Sequence, residues 1–120
     1  MKVATVDDLT TVGDLRAAVH SFVEHRDWYQ YHTPKNLAMS IAIESAEIME
    51  HFQWLTAVES TAALDDPAMH HAVADELADV IIYCLSFANS AKIDIATAVL
   101  AKLERNESRF PVEHVRGRLG

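Results

Sequence analysis

Apolar residues in this chain recur at three- and four-residue steps along four segments, and nowhere do β-branched residues alternate long enough to build a sheet. With three glycines and three prolines in 120 residues, few positions can break a helix. This periodicity confines the chain to an all-α fold. The first predicted helix spans Val12 to about Arg26, with Thr11 as N-cap and Asp14 in its first turn. An aromatic loop from Asp27 to Lys35 follows. The second helix begins after Asn36 as its N-cap and continues to about Leu55, with an inward stripe of Leu37, Ile41, Glu44, Ile48, Phe52 and Leu55. The third opens at Asp66-Pro67 and runs to about Ala91, its stripe being Val73, Glu76, Val80, Tyr83 and Phe87. The fourth starts after Asp94 and ends near Ser108, ahead of Pro111. Such lengths suit a four-helix antiparallel bundle, one domain over 1–111 followed by a polar, loose tail over 112–120.

Within that pattern the carboxylates are misplaced. Glu44 and Glu76 occupy stripe positions where Leu or Ile is expected, and an ionised carboxylate among apolar helices is costly unless paired or bound to a cation. Each has an acidic neighbour three residues on, Glu47 and Asp79, which points to the same side of its helix. A single such pair would usually be surface decoration. Two pairs that each replace a core position are better explained by four acids converging on a metal site between the second and third helices. An all-oxygen site suits Mg²⁺, with Mn²⁺ as a substitute. The chain has no Glu-x-x-His pair for a di-iron bundle, no zinc-binding His-Glu-x-x-His, and no Walker-type loop. A hard-cation site acting on phosphate fits best.

Charge and composition narrow the partners. A net charge of −8 opposes binding to nucleic acid polymers, whereas a bound cation can still recruit a small phosphorylated ligand. No apolar run approaches the roughly 20 residues that span a bilayer, so no membrane partner is expected. The lone Cys84 excludes an internal disulfide and is expected to be a buried structural thiol. The N-terminus lacks a signal-like apolar stretch, and the expected location is the cytoplasm.

Glu44-x-x-Glu47 followed by Glu76-x-x-Asp79 resembles the metal motif of the MazG-like all-α nucleoside triphosphate pyrophosphohydrolases. The stretch from Arg26 through Trp28, Tyr31, His32 and Pro34 to Leu37 is similar to the loop before the metal helix in the dCTP pyrophosphatase branch. So are Phe52-Gln53-Trp54, Asp79 to Tyr83, and Lys102 to Asn106 with Arg109-Phe110-Pro111. Ile43 stands where the wider family often has a further acid, and Phe110 where this branch commonly has tyrosine; neither removes a ligand. The resemblance implies hydrolysis of a nucleoside triphosphate to monophosphate and pyrophosphate, with dCTP or a modified dCTP as the expected substrate. On this reading Glu44, Glu47, Glu76 and Asp79 are metal ligands. Glu44 and Glu47 are the catalytic candidates, Glu47 being the one expected to orient or deprotonate the water.

The remaining site candidates are aromatic and basic. Trp54 lies two turns after Glu47, Tyr83 one turn beyond Asp79, and Trp28 and His32 come from the preceding loop. Read alone, Tyr83 and Trp54 are better explained as core. The resemblance favours base stacking for Trp28 and Trp54 and leaves Tyr83 open between the two roles. Lys102, Asn106 and Arg109 share one face of the fourth helix, an ordinary solvated stripe in itself but suited to phosphate or sugar oxygens. Apolar residues spread beyond one stripe of the last two helices, among them Ile81, Ile82, Ile95, Val99 and Leu103. Together with the resemblance, this predicts a homo-oligomer, a dimer or a tetramer built as a dimer of dimers. The rival readings are a non-catalytic helical oligomerisation or partner-binding module, and the same enzyme class acting on another noncanonical triphosphate.

Overall fold

The computed structural model describes residues 3–118, and among these the only regular structure is helix, with no strand. Seven helices follow in order: α1 Val6–Leu9, α2 Val12–His25, α3 Pro34–Glu50, α4 Ala57–Ala63, α5 Pro67–Ala91, α6 Ile95–Arg109 and α7 Val112–Val115. The four long ones are those the periodicity predicts.

Helix starts follow their capping chemistry. At α2 the Thr11 hydroxyl accepts from the Asp14 amide at 3.0 Å, and the Asp14 carboxylate accepts from the Thr11 amide at 3.0 Å. Asp66 precedes Pro67 at α5, and Asp94 caps α6 by accepting from the Thr97 amide at 3.0 Å.

Several local expectations meet a different outcome. The cap of α3 is Thr33, not Asn36: the Thr33 hydroxyl accepts from the Asn36 amide at 3.3 Å, and Pro34 takes the first helical position. A proline there has no N–H to lose and a φ already suited to the helix. Asn36 sits inside the first turn, where its side-chain amide donates to the Tyr31 carbonyl at 3.0 Å. Next, α3 ends at Glu50 rather than near Leu55, because Thr56 and Glu59 form a capping box that starts α4 afresh. Finally, Cys84 is exposed, not buried. It lies one residue off the inward stripe through Tyr83, about 100° around α5. The segment read as a loose tail carries the short helix α7.

Packing centres on α5, which lies chiefly against α3 and secondarily against α2. Both predicted stripes face this junction: Ile41, Glu44 and Ile48 on α3, and Val73, Glu76, Val80, Tyr83 and Phe87 on α5, are all half-buried. Yet only Val23, Leu37, Leu85 and Ala88 among the described apolar residues are fully buried. The axis of α6 departs from that of α5 at 103°, unlike the antiparallel fourth helix of a closed bundle, and its Val99, Leu100 and Leu103 are exposed. Accessible surface is 9488 Å², where roughly 6,500 Å² is usual for a compact monomer of this mass. The radius of gyration, 17.5 Å, likewise exceeds the roughly 14 Å of a compact chain of this length. No single helix is long and apolar enough to cross a membrane.

Candidate metal centre

Because α3 and α5 pack side against side, residues one turn apart on each are brought to a common point. Glu44 and Glu47 on α3 and Glu76 on α5 each offer a carboxylate oxygen, and these oxygens all lie within 4.8 Å of one another. All three residues are half-buried. Oε2 of Glu44 and Oε2 of Glu76 are fully buried and have no hydrogen-bond partner among the described residues. Asp79, the fourth predicted ligand, is exposed and stands outside this tight trio, though its charge acts on both Glu44 and Glu76.

Crowding of like charges leaves its mark on protonation. A hydrogen bond with Glu47, then burial, then the charges of Glu47, Glu44 and Asp79 push Glu76 up to about 7. Burial first, and the charges of Glu47 and Asp79 next, raise Glu44 above its ordinary value. No lysine or arginine relieves them: the ion pairs among the described residues are His20–Glu24 and His71–Asp75. A cluster of buried, unpartnered carboxylate oxygens without a cationic side chain fits a hard divalent cation, which would supply both the missing charge and the missing partners.

Beside the acids lies a row of rings. Trp28 stacks toward His32 with centroids 6.4 Å apart and an interplanar angle of 27°, and His32 meets Tyr83 at 6.4 Å and 37°. Phe22 closes against the edge of Trp28 at 5.7 Å. The loop that presents Trp28 and His32 reverses through Asp27, at a φ of 52°, and the Trp28 amide donates back to the Val23 carbonyl at 3.1 Å. Tyr83, one turn along α5 from Asp79, joins this row to the acidic end.

Other predicted contacts stand apart. Trp54, in the turn between α3 and α4, is 86% exposed and outside the ring row. The early end of α3 takes it off the helix face it was expected to share with Glu47. On α6, Lys102 and Arg109 are exposed and Asn106 is half-buried. No hydrogen bond or ion pair links these three side chains to the carboxylates among the described residues.

Two serines went unnoticed in the sequence. Ser86 is buried and its hydroxyl lies 2.9 Å from Nδ1 of His32, while the Ser90 hydroxyl donates to the His32 carbonyl at 3.1 Å. The available signal was a pair of hydroxyls one turn apart in an otherwise apolar helix.

Comparison with known proteins adds an independent line. The sequence profile of the MazG-like family matches residues 39–118. The dCTP pyrophosphatase 1 of Rattus norvegicus is 36% identical over 107 residues, covering 89% of this chain and 63% of its own. That of Homo sapiens is 36% identical over 106 residues, covering 88% of this chain and 62% of its own. The chain therefore spans less than two thirds of the length of these curated relatives. Among solved structures, a pyrophosphatase from Archaeoglobus fulgidus superposes with a TM-score of 0.79 at 37% identity, covering 92% of this chain and 98% of that one.

Proposed function

Since this chain belongs to the MazG-like family, we propose that it is a Mg²⁺-dependent nucleoside triphosphate pyrophosphohydrolase, with dCTP or a base-modified dCTP as its substrate. The observation that carries the reading is the trio Glu44, Glu47 and Glu76, with two buried carboxylate oxygens unpartnered. A purely structural role would leave such a cluster as uncompensated repulsion inside the main helix junction. The pyrophosphatase names of the relatives point the same way.

In the proposed reaction water cleaves the anhydride bond between the α- and β-phosphates, giving the monophosphate and pyrophosphate. Glu44, Glu47, Glu76 and Asp79 would hold Mg²⁺, or Mn²⁺ in its place. A cation held there would supply charge neutralisation at the phosphoryl oxygens and lower the pKa of water. Glu47, whose carboxylate lies beside those of Glu44 and Glu76, would orient the water and accept its proton. Trp28 and Tyr83 would stack on the base with His32 beside them at its edge, while Trp54 stands outside this row in the α3–α4 turn. Lys102, Asn106 and Arg109 on α6 would bind phosphate or sugar oxygens.

The active species in this reading is a homo-oligomer. Surface and radius both exceed those of a compact monomer, α6 presents an uncovered apolar face, and an apolar groove of about 480 Å³ runs between α2 and α5, lined by Leu15, Val19, Phe22, Ile81 and Leu85. A second copy would cover these surfaces, and dimers or tetramers would complete the bundle that one chain leaves open. Light scattering at micromolar protein should report a multiple of 13.4 kDa, and a monomer mass would refute the oligomer.

The deciding experiment is a panel of ribo-, deoxyribo- and modified triphosphates with Mg²⁺, assayed for monophosphate and pyrophosphate beside Glu47→Gln. Pyrophosphate release from cytosine deoxynucleotides, lost in the variant, supports the reading. Silence across the panel from folded, Mg²⁺-loaded protein would favour a non-catalytic helical module instead.

A further inference from the structure

Ser86 is the one buried polar residue among those described, at 1% exposure. Its hydroxyl has a single hydrogen-bond partner among the described residues, Nδ1 of His32 at 2.9 Å. A hydroxyl hydrogen this deep is costly to leave without an acceptor. With Nδ1 as its single partner among the described residues, that hydrogen is satisfied only if Ser86 donates and Nδ1 carries no proton. A neutral imidazole must then carry its hydrogen on Nε2. Burial holds the His32 pKa below its ordinary value, which keeps the ring neutral at neutral pH. Ser90, one turn further along α5, accompanies this bond by donating to the His32 carbonyl at 3.1 Å, so the residue is held by side chain and backbone at once.

We propose that Ser86 is a positioning residue that fixes His32 as the Nε2–H tautomer, so that the ring offers a donor to an acceptor atom on the nucleotide base. The inference rests on the reading of Trp28, His32 and Tyr83 as the base site. Its consequence is selectivity by hydrogen-bond sign. At ring N3 cytosine presents an acceptor, whereas uracil and thymine carry an N3–H that would meet the His32 donor head-on. A donor facing a donor loses the bond and leaves both groups unsatisfied.

Two measurements test this on the full chain. Long-range ¹⁵N–¹H correlation at neutral pH should show His32 protonated at Nε2 and bare at Nδ1. The Nδ1 resonance should move in Ser86→Ala as the accepted bond is lost. Protonated Nδ1 in the unmodified protein would overturn the proposal without recourse to any variant. In Mg²⁺-supported kinetics, Ser86→Ala should raise KM for dCTP about 2- to 10-fold, with a much smaller change in kcat, and lower the dCTP-over-dUTP preference by a similar factor. Ser86→Thr, which keeps the hydroxyl, should restore both. A dCTP-over-dUTP preference unchanged in Ser86→Ala overturns the selectivity role. If the unmodified protein hydrolyses no triphosphate, the enzymatic reading and the base contact fall together, while the tautomer stands or falls on its resonances.

Discussion

Glu44 on α3 and Glu76 on α5 each bury an Oε2 that no donor among the described residues reaches, across the same helix junction. No lysine or arginine among the described residues balances either carboxylate, and an oxygen of Glu47 lies within 4.8 Å of both. The helix pair that contributes most to packing is therefore also the place where the metal-free protein is least comfortable. Stability and metal binding should be linked there, and the linkage can be measured.

Glu76→Gln removes one negative charge from the cluster. In buffer with a chelator at pH 7.5 the variant should melt at a higher temperature than the unmodified protein, since repulsion is relieved without loss of volume. Added Mg²⁺ should raise the melting temperature of the unmodified protein and do so far less for the variant. A variant that melts lower in chelator would show the carboxylate to be stabilising by itself, which would count against a cation site at this junction.

The pH dependence follows from the sign of the same shift. Glu76 sits at about 7 when folded and near 4.5 otherwise, so between those values the folded chain binds the extra proton. Its contribution to metal-free stability is fully present below pH 4.5 and is lost as pH rises through 7. The difference in melting temperature between Glu76→Gln and the unmodified protein should therefore widen in favour of the variant from pH 5 to pH 8 in chelator. Mg²⁺ affinity should rise over the same window as the acids shed protons. A difference that stays flat across that range would contradict the raised value.

Trp28 anchors the ring row from the loop before α3. Trp28→Ala should raise KM for the triphosphate about 5- to 160-fold through lost stacking, worth about 1–3 kcal/mol. Steady-state kinetics with dCTP would test this, and an unaltered KM would place the base elsewhere.

Thr33, rather than Asn36, closes the start of the helix that carries Glu44 and Glu47. Thr33→Ala should cost about 1 kcal/mol of stability, read from the denaturation midpoint at unchanged slope. Loss of this size from Asn36→Ala alone would restore the cap to Asn36.

Removing the proposed base, Glu47→Gln, should lower kcat by about 10²- to 10⁴-fold while the helical circular dichroism stays intact. A variant retaining most of its turnover would transfer the proton-accepting role to another acid.

Helix content was legible because it depends on short-range spacing. Val12, Pro67 and Ile95 start helices where local caps and periodicity put them. Glu44 and Glu76 were conspicuous for the same reason, as charges in positions that a 3.6-residue repeat assigns to the core. The errors were also local: Thr33 outcompeted Asn36 because Pro34 fits only the first helical position, and the Thr56–Glu59 box cut α3 short of Trp54.

By itself, then, the sequence determined the helical class, the approximate limits of the long helices and the two acidic pairs, since each is set by residues within a turn or two of one another. Only the tertiary structure decided which acids meet, that Asp79 stands outside the trio, that α6 departs from α5 at 103°, and that Ser86 reaches His32 across 54 positions of chain. Those relationships depend on the rotation and crossing of packed helices, which many distant side chains set together and no local repeat encodes.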